Sequence, residues 1–500
     1  MKPIGEIVKQ KPWIGWLVFF ITIFVVFLLG LLASSIIERR AEGEFVYTPQ
    51  VEHDQWEPRN EVWGKNFPRE YNSYLETRDT SFRSKYNGAA SYDMLELAPE
   101  LVILWSGYAF SKDYKQARGH YYAIDDIHRI LRTGAPLTDE QNIQPGTCWT
   151  CKSPDVPRLM NQMGIAEFYK SKWNQLGPEV VNPIGCADCH DAKTMNLHIS
   201  RPALVEAFQR QGLDVNKSTH QELRSLVCAQ CHVEYYFKGE EKYLTFPWDK
   251  GFSVEQIEEY YDSYQFSDWT NSLSKAPMIK AQHPDYELFL SGVHYDRGVA
   301  CADCHMPYRT EGGVKFTDHH IQSPLNNVAN TCQVCHREET QKLIDNVYQR
   351  QDKIFNNRRE LERLLAIAHI EAKFAWEKGA SEKQMKKALG LIRAAQWRWD
   401  FCAAGHGSSF HAPLEVSRII GSGIQKAMEA RLEIHKVLAL NGYTQEIPLP
   451  DISTKTKAQK YIGLDMEKLK NDKKKFLETI IPKWKEEAKK REDGYTVKNF

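Results

Sequence analysis

The sequence predicts a mainly α-helical protein, and three features of the chain lead to that prediction. Beyond residue 340, apolar residues recur every three to four positions, as in amphipathic helices. Between residues 71 and 340 the pattern indicates short helices among Gly, Pro, Asn and Asp, with little of the alternation typical of strands. Five Cys-x-x-Cys pairs are distributed through the same region. We therefore expect a helical body organised around the groups that these cysteines hold.

The charge and the cysteine count narrow the class of protein. The chain has 65 basic and 65 acidic residues among 500, so its formal net charge is zero. This balance gives no indication of a nucleic-acid partner. Ten of the eleven cysteines belong to the five pairs, and only Cys402 is left over. We expect Cys402 to be a small buried hydrophobe rather than a reactive thiol.

Four of the five pairs are followed directly by histidine, which is the C-x-x-C-H pattern of covalent haem attachment. Numbering the pairs along the chain, these are motif 2 (Cys186, Cys189, His190), motif 3 (Cys228, Cys231, His232), motif 4 (Cys301, Cys304, His305) and motif 5 (Cys332, Cys335, His336). Structural zinc is the alternative, and it would combine motifs into four-ligand sites. The repeated spacing favours haem. The predicted fold class is therefore a mainly α multihaem cytochrome c with a haem-packed core and long C-terminal helices.

Motif 1, in the stretch GTCWTCKS, has Cys148 and Cys151 but places Lys152 where the histidine would stand. A lysine amine must lose a proton that it holds with a pKa of about 10.4 in water before it can bind iron. Burial beside ferric iron would favour the neutral amine. A haem ligated in this way, with its other face vacant, is a candidate site for binding and converting a substrate. The alternative is that Lys152 is exposed and a remote histidine binds this iron.

Electron-carrying haems need a second axial ligand, which is usually another histidine. Of the seventeen histidines, four follow the cysteine pairs and thirteen remain, so enough are present to complete four bis-histidine haems. Length alone would allow about two to four domains. Five large apolar cofactors would instead join most of the chain into one body.

The N-terminal segment predicts a membrane anchor. Residues 13–37 contain no charged residue, and about 25 residues at about 1.5 Å each exceed the roughly 30 Å hydrocarbon core of a bilayer. No convincing small-x-small cleavage site follows, which favours an uncleaved signal-anchor over residues 1–40. Because c-type haem is attached outside the cytoplasmic membrane of bacteria, we expect the body on the periplasmic side of that membrane.

The remaining boundaries follow from composition. Residues 41–70 predict a linker, residues 71–340 a pentahaem catalytic region, and residues 341–500 a helical region that packs on the haems and forms a dimer interface. Ser381 and Gln384 predict a capping box. A further helix is expected from Pro413 to the Asn441-Gly442 stop. The lysine-rich stretch from residue 453 is interpreted as a solvated amphipathic tail.

Several motifs together resemble the pentahaem, ammonia-forming cytochrome c nitrite reductases. They are LRTGAP at 131–136, CWTCKSPDVPRL at 148–159, CAQCHVEYYF at 228–237, KAQHPDYE at 280–287, CADCHMP at 301–307 and HAP at 411–413. The resemblance covers about residues 100–420. It implies a mainly helical homodimer with five haem c groups, which takes nitrite through six electrons and eight protons to ammonium.

The resemblance also implies roles for individual residues. Lys152 would be the proximal ligand of the catalytic haem, with Arg132, Tyr235 and His283 on its distal side. Arg132 offers a permanent positive fork to an anion, and His283 can deliver protons near neutral pH. The distal ligands of the other haems would be four histidines: His120, His294, His319 and His411. His320 and His406 stay open as alternatives to the last two of these.

The family further implies calcium and an electron donor. The side chains of Glu234 and Gln282 and the carbonyls of Tyr235 and Lys280 would hold the calcium, which prefers hard oxygen ligands. The donor would be a membrane quinol-oxidising cytochrome. Two alternatives remain open, a multihaem electron-transfer cytochrome without a substrate and a reductase of hydroxylamine or sulfite. The pure electron carrier would be expected to have five C-x-x-C-H motifs.

Overall fold

The computed structural model describes residue 5 and residues 9–43, 49–141 and 144–499. Parts of the predicted anchor (1–4 and 6–8) and of the predicted linker (44–48) lie outside the described residues. The chain divides into two compact units. One comprises Met1–Gln50 and Arg309–Phe316, and the other comprises Val51–Tyr308 and Thr317–Phe500.

Helices form most of the regular structure, which confirms the prediction of a mainly α fold. In chain order they are α1 Pro12–Gly43, α2 Asn60–Asn66, α3 Pro68–Leu75, α4 Met94–Leu97, α5 Glu100–Leu104, α6 Ala123–Arg129, α7 Asp155–Met163, α8 Ile165–Lys170, α9 Trp173–Leu176, α10 Cys186–Cys189, α11 Pro202–Arg210, α12 His220–Ala229, α13 Val254–Ser263, α14 Asp285–Phe289, α15 Val293–Asp296, α16 Cys301–His305, α17 Thr340–Glu377, α18 Glu382–Ala404, α19 Ser408–His411, α20 Pro413–Leu440, α21 Lys455–Tyr461, α22 Met466–Thr479 and α23 Ile481–Glu492.

Short 3₁₀ turns and strands fill the connections. The 3₁₀ turns are Glu76–Arg78, Ala109–Ser111, His120–Tyr122, Leu131–Thr133, Asp139–Gln141, Gly146–Trp149, Val215–Lys217 and Pro324–Asn326. The strands are β1 Val51–Glu52, β2 Tyr236–Lys238, β3 Tyr243–Thr245, β4 Trp269–Thr270, β5 Pro277–Met278, β6 Tyr308–Glu311, β7 Val314–Thr317 and β8 Lys498–Asn499. They join only in pairs, β1 with β8, β2 with β3, β4 with β5 and β6 with β7.

Helix α1 is uniformly apolar. Its stretch Pro12–Ile37 has a mean hydropathy of 2.9, and none of it is buried within the protein. By length and composition this helix could cross a membrane, although a signal sequence near the N-terminus has the same properties.

Helices α17, α18 and α20 pack together and form the first hydrophobic core of the larger unit. The apolar stripe predicted on α17 is buried: Ile354, Leu361, Leu364, Leu365, Ala368 and Ala372. The predicted capping box between Ser381 and Gln384 is present at the start of α18. Pro413 begins α20, where its fixed φ and missing N–H suit the first turn of a helix.

The second hydrophobic core lies around motif 1 and includes the C-terminal helices. Trp149, between the two cysteines of motif 1, stacks on Trp173 at a centroid separation of 5.0 Å. Trp173 in turn contacts Phe476 of α22 and Trp484 of α23. Phe476 and Trp484 are buried, so the interpretation of this segment as a solvated tail was wrong. The many lysines lie on its outer face, and they dominate the composition although the opposite, apolar face packs against motif 1.

Candidate active site

Each histidine of motifs 2 to 5 faces another histidine from a distant part of the chain. The ring-centroid separations are 6.1 Å for His190 and His319, 6.3 Å for His232 and His120, 6.3 Å for His305 and His411, and 6.4 Å for His336 and His294. Imidazole nitrogens bind metal ions at about 2 Å, and the ring centre lies about 1.2 Å further, so two rings sharing one metal would be about 6.4 Å apart. The pairs therefore fit haem iron.

The neighbouring histidines have other contacts. His320 lies with its Nδ1 3.4 Å from Glu76. His406 makes an edge contact with His283 at 5.6 Å between centroids. His283 is also 6.4 Å from His232, so His232 has two imidazole neighbours at similar distances. Of these two, His283 is the one for which the family resemblance implies a place on the distal side of the catalytic haem.

Three of the paired histidines use the second ring nitrogen in a hydrogen bond with a backbone carbonyl. The Nδ1 atoms of His190, His305 and His319 bond to the carbonyls of Met195, Gln322 and Thr317 at 2.9, 2.8 and 2.7 Å. Such a bond fixes the tautomer and the ring orientation and leaves Nε2 free for a metal. The rings of these three histidines are therefore held in place by the protein itself.

The thiols bring the motifs into a definite order. Cys151 of motif 1 adjoins Cys231 of motif 3, and Cys228 of motif 3 adjoins Cys301 of motif 4. Cys304 of motif 4 lies near Cys332 of motif 5. Cys189 of motif 2 lies near Cys231. The motifs thus form a line in the order 1, 3, 4 and 5, with motif 2 beside motif 3.

Motif 1 differs from the histidine motifs in its backbone. The amide of Lys152 donates to the carbonyl of Trp149, three residues earlier, at 2.9 Å. The amides of His190, His232 and His336 donate to the first cysteine of their own motif, four residues earlier, at 2.8–2.9 Å. Lys152 therefore ends a tighter turn. It is half-buried and close enough to His120 and His283 to influence both electrostatically.

Arg132 presents a buried positive charge that forms no ion pair among the described residues, although the charge of Asp113 acts on it. Its guanidinium lies 4.1 Å from the ring centre of Phe110, and within the described residues it makes no ion pair or side-chain hydrogen bond. Burial lowers the pKa of Arg132 from its usual value, and a guanidinium remains charged at neutral pH. It acts electrostatically on Tyr235 and on Cys148, so it is directed towards motif 1. This arrangement can receive an anion.

The turn that carries Arg132 is anchored on both sides. The amide of Leu131 donates to Asp113 at 3.1 Å, and Gln144 Nε2 donates to the Arg132 carbonyl at 3.1 Å. The buried ammonium of Lys473, from α22, donates to the carbonyl of His128 at 3.0 Å and to Thr133 Oγ1 at 3.2 Å. Sequence reasoning missed Lys473, because one lysine among many gives no signal of burial.

Tyr235 and His283 both lie within electrostatic range of this region, since Tyr235 acts on Arg132 and Lys152 acts on His283. Burial raises the pKa of Tyr235 well above 10, so its hydroxyl stays protonated. Burial, followed by the charges of His406, Lys152 and His232, holds the pKa of His283 well below 6.5. The expectation that His283 titrates near neutral pH therefore does not hold for the chain alone, because charging the buried ring is costly. An anion beside the ring would raise this pKa.

The predicted calcium ligands converge on a buried carboxylate. Glu234 is fully buried and accepts hydrogen bonds from the Tyr261 hydroxyl at 2.8 Å and from the Gln282 amide N–H at 2.6 Å. Gln282 Nε2 donates to the carbonyl of Lys280 at 3.2 Å. The Lys280 ammonium pairs with Asp400 at 2.7 Å, and although its charge acts on Glu234, Glu234 makes no ion pair among the described residues. Burial raises the pKa of Glu234 well above 4.5, so a bound cation would be needed to keep it ionised. The set of oxygens fits calcium.

Fold and site together define a multihaem c-type cytochrome. The family model for cytochrome c552 matches residues 59–493, and the chain belongs to this family. Cytochromes c-552 of Bacteroides fragilis and Parabacteroides distasonis are each 61% identical to it, over 96% and 98% of the chain and 98% and 99% of their own lengths. As a member of this family the chain carries haem c.

A solved structure extends the likeness to three dimensions. The chain is similar to cytochrome c nitrite reductase from Desulfovibrio desulfuricans, with 30% identity and a TM-score of 0.74. The match covers 83% of this chain and 90% of the other. The catalytic subunit of that enzyme has two calcium sites. The family resemblance predicted from the motifs is confirmed.

Proposed function

We propose that this protein reduces nitrite to ammonium at the motif 1 haem. The observation that carries the proposal is the contrast between motifs. The histidines of motifs 2 to 5 each face a second imidazole, whereas motif 1 has a cation and two proton-bearing side chains nearby: Arg132, Tyr235 and His283. A site of this composition suits a small anion that must be protonated. The similarity to a nitrite reductase supports the same substrate.

Bound haem would supply electrons, and Lys152 with Cys148 and Cys151 would hold the haem at which the substrate is reduced. Arg132 lowers the cost of taking nitrite from water, because its guanidinium is already desolvated and lacks a carboxylate partner among the described residues. The same charge orients the anion. The clamp formed by Asp113, Gln144 and Lys473 keeps the guanidinium in place during the reaction.

Reduction to ammonium consumes eight protons with six electrons and releases two water molecules. His283 is the main proton donor in this proposal, because the negative charge that enters the pocket raises its affinity for protons. Tyr235 keeps its proton and donates a hydrogen bond to the bound anion. Both groups must stand within hydrogen-bond reach of the substrate for this role.

The remaining site residues serve binding and electron supply. His120, His294, His319 and His411 would hold four haems together with His232, His336, His190 and His305, respectively. Electrons would follow the line of motifs towards motif 1 through motif 3. Calcium would be held by the side chains of Glu234 and Gln282 and the carbonyls of Lys280 and Tyr235, beside the distal residues. The calcium sites of the similar enzyme support this assignment.

The assembly is part of the same proposal. Helix α20 exposes several apolar side chains, among them Leu414, Met428, Leu432 and Leu440, which would be covered in a homodimer. Helix α1 would hold the protein to the periplasmic side of the cytoplasmic membrane, where a quinol-oxidising cytochrome could supply electrons. The protein should then remain with the membrane fraction after a high-salt wash. A soluble mature protein that begins beyond Ile37 would contradict the anchor.

The function is tested on the purified holoprotein with a reduced viologen dye as electron donor. We expect mass spectrometry to find five covalently bound haems, spectra to show one of them as high-spin, and nitrite to be converted to ammonium. Four haems, with Cys148 and Cys151 free, would overturn the proposal. A protein that accepts electrons from the dye but consumes neither nitrite nor hydroxylamine would be an electron carrier instead. Turnover of hydroxylamine or sulfite alone would make it a different reductase.

A further inference from the structure

A single buried arginine connects motif 1 to its neighbours. Arg201 precedes α11, and its side chain is only 1% exposed. Its Nε donates to the carbonyl of Thr150 at 2.7 Å, and its Nη2 donates to the carbonyl of Ser153 at 2.8 Å. These two carbonyls lie on either side of Cys151 and Lys152. One guanidinium therefore grips the backbone before and after the predicted lysine ligand.

The guanidinium is itself fixed by residues of motifs 2 and 3. Nη2 also pairs with the carboxylate of Asp188, which stands between the cysteines of motif 2, and Nη1 donates to Ser200 Oγ at 2.7 Å. Gln230, between the cysteines of motif 3, accepts from the amides of Ser200 and Arg201 at 3.1 Å and donates to the Asp188 carbonyl at 2.8 Å. The network is buried throughout. These hydrogen bonds therefore join residues of motifs 1, 2 and 3 in one buried network.

A lysine ligand needs this support more than a histidine does. His190 and His305 are oriented through Nδ1, which bonds to a backbone carbonyl while Nε2 remains free. An amine has no second atom of this kind, and it ends a flexible stem of four carbons. The position of a lysine nitrogen therefore depends more than that of an imidazole on the backbone that carries it. At Lys152 that backbone is a tight turn, and Arg201 holds both of its ends.

We propose that Arg201 is the positioning residue for Lys152, and that it performs through two backbone carbonyls the task that Nδ1 hydrogen bonds perform for the histidine ligands. The proposal rests on the proposed function, since it takes Lys152 as an iron ligand. Loss of Arg201 should change the ligation of the motif 1 haem and leave the bis-histidine haems unaltered. A displacement of this ligand should also slow nitrite reduction.

The test is a double-mutant cycle on the holoprotein. Arg201→Gln is made in the parent and in a Lys152→His background, in which the predicted ligand is an imidazole that can be oriented by a hydrogen bond at its own Nδ1. The readouts are the haem count, the ferric spectra of the high-spin and bis-histidine haems, and nitrite turnover per haem. Arg398→Gln is the matched control, because Arg398 is also buried and paired with a carboxylate, Glu258, but packs between α18 and α13.

We expect Arg201→Gln to alter the high-spin signal and lower turnover by about tenfold or more in the Lys152 protein. The same substitution should leave the spectrum of the Lys152→His protein unchanged, and Arg398→Gln should leave the parent spectrum unchanged. An equal spectral change in both backgrounds, or a loss of haem at motifs 2 and 3, would make Arg201 a general folding residue and overturn the proposal.

Arg201→Lys covers the possibility that the glutamine variant does not accumulate. It keeps the charge beside Asp188 but cannot span two carbonyls, so we expect five haems and an altered high-spin signal. A parent-like spectrum and parent turnover in this variant would refute the positioning role. If the parent protein itself lacks a high-spin haem or nitrite turnover, the proposed function fails, and this outcome is distinct from a failure at Arg201.

Discussion

Motif 1 and motif 5 lie at opposite ends of the line of motifs, and they differ in how closely the rest of the chain packs around them. Around motif 1, Trp149, Trp173 and Trp484 pack closely, and Arg201 grips the backbone on both sides of Lys152. In motif 5, Cys335 and the neighbouring Val334 are exposed. Its histidine faces His294, which itself is partly exposed.

The difference suggests how a cytochrome separates electron transport from catalysis. An iron with two imidazole ligands needs only the two rings and their orienting bonds. An iron that binds substrate needs an open side with prearranged charge and proton donors. The surrounding chain must hold these groups in position and keep the open side from being filled by its own side chains. The tight packing around motif 1 matches that need. Changes at motif 1 should therefore affect turnover far more than changes at a bis-histidine pair.

The largest effect is expected at His283. Replacing it with asparagine removes the proposed proton donor and keeps a similar volume, so turnover of nitrite should fall by about 10² or more. All five haems should remain attached, because His283 is not a predicted ligand. The control is His220→Asn, an exposed histidine at the start of α12. Parent turnover in the His283 variant would remove the asymmetry between the motifs.

Arg132→Ala should have the next largest effect. A charge-assisted hydrogen bond contributes about 1.5–3 kcal/mol, which corresponds to a loss of about 10- to 10²-fold in kcat/KM for nitrite. Arg129→Ala is the matched control on the preceding helix, since Arg129 is exposed and pairs with Asp125. A loss of equal size in both variants would show that a general charge effect, rather than the pocket cation, is responsible.

A smaller effect is expected at a bis-histidine pair. A methyl group on Gly407 would collide with the ring of His411, so Gly407→Ala should displace this ring from its partner His305. Spectra should show one altered low-spin haem, the high-spin haem should be unchanged, and turnover should fall by about tenfold at most. The control is Gly390→Ala, where a methyl group meets open space. A change in the high-spin signal instead would contradict the assignment of His411.

The smallest effect concerns the pH dependence of stability at Lys473. Burial lowers the pKa of Lys473 to about 7 from 10.5, so between these values the unfolded chain holds more protons than the folded one. The contribution of this lysine to stability therefore increases as the pH rises through that window. The Tm of the parent should rise relative to that of Lys473→Met between pH 7 and pH 10. The exposed neighbour Lys474 provides the control, and a Lys474→Met difference of the same slope would refute the assignment.

Much of the molecule could be predicted from short stretches of sequence. The Cys-x-x-Cys spacing is a local covalent requirement, so it identified the attachment sites without any knowledge of the fold. The periodicity of residues 354–372 and the Ser381 capping box identified the long helices, because helix formation depends on residues within one or two turns. The order of motifs such as CWTCK then pointed to the family.

Other features could not be read from the sequence, because they depend on contacts between residues far apart in the chain. Only the tertiary structure decided which histidine faces which motif, that Lys473 lies beneath the Arg132 turn, and that Arg201 spans the backbone of motif 1. The lysine-rich C-terminal segment illustrates the reason. Its composition is typical of a solvent-exposed segment. Burial of Phe476 and Trp484 against Trp173 nevertheless stabilises the segment on motif 1. The free energy gained by this burial depends on a surface that lies some 300 residues earlier in the chain.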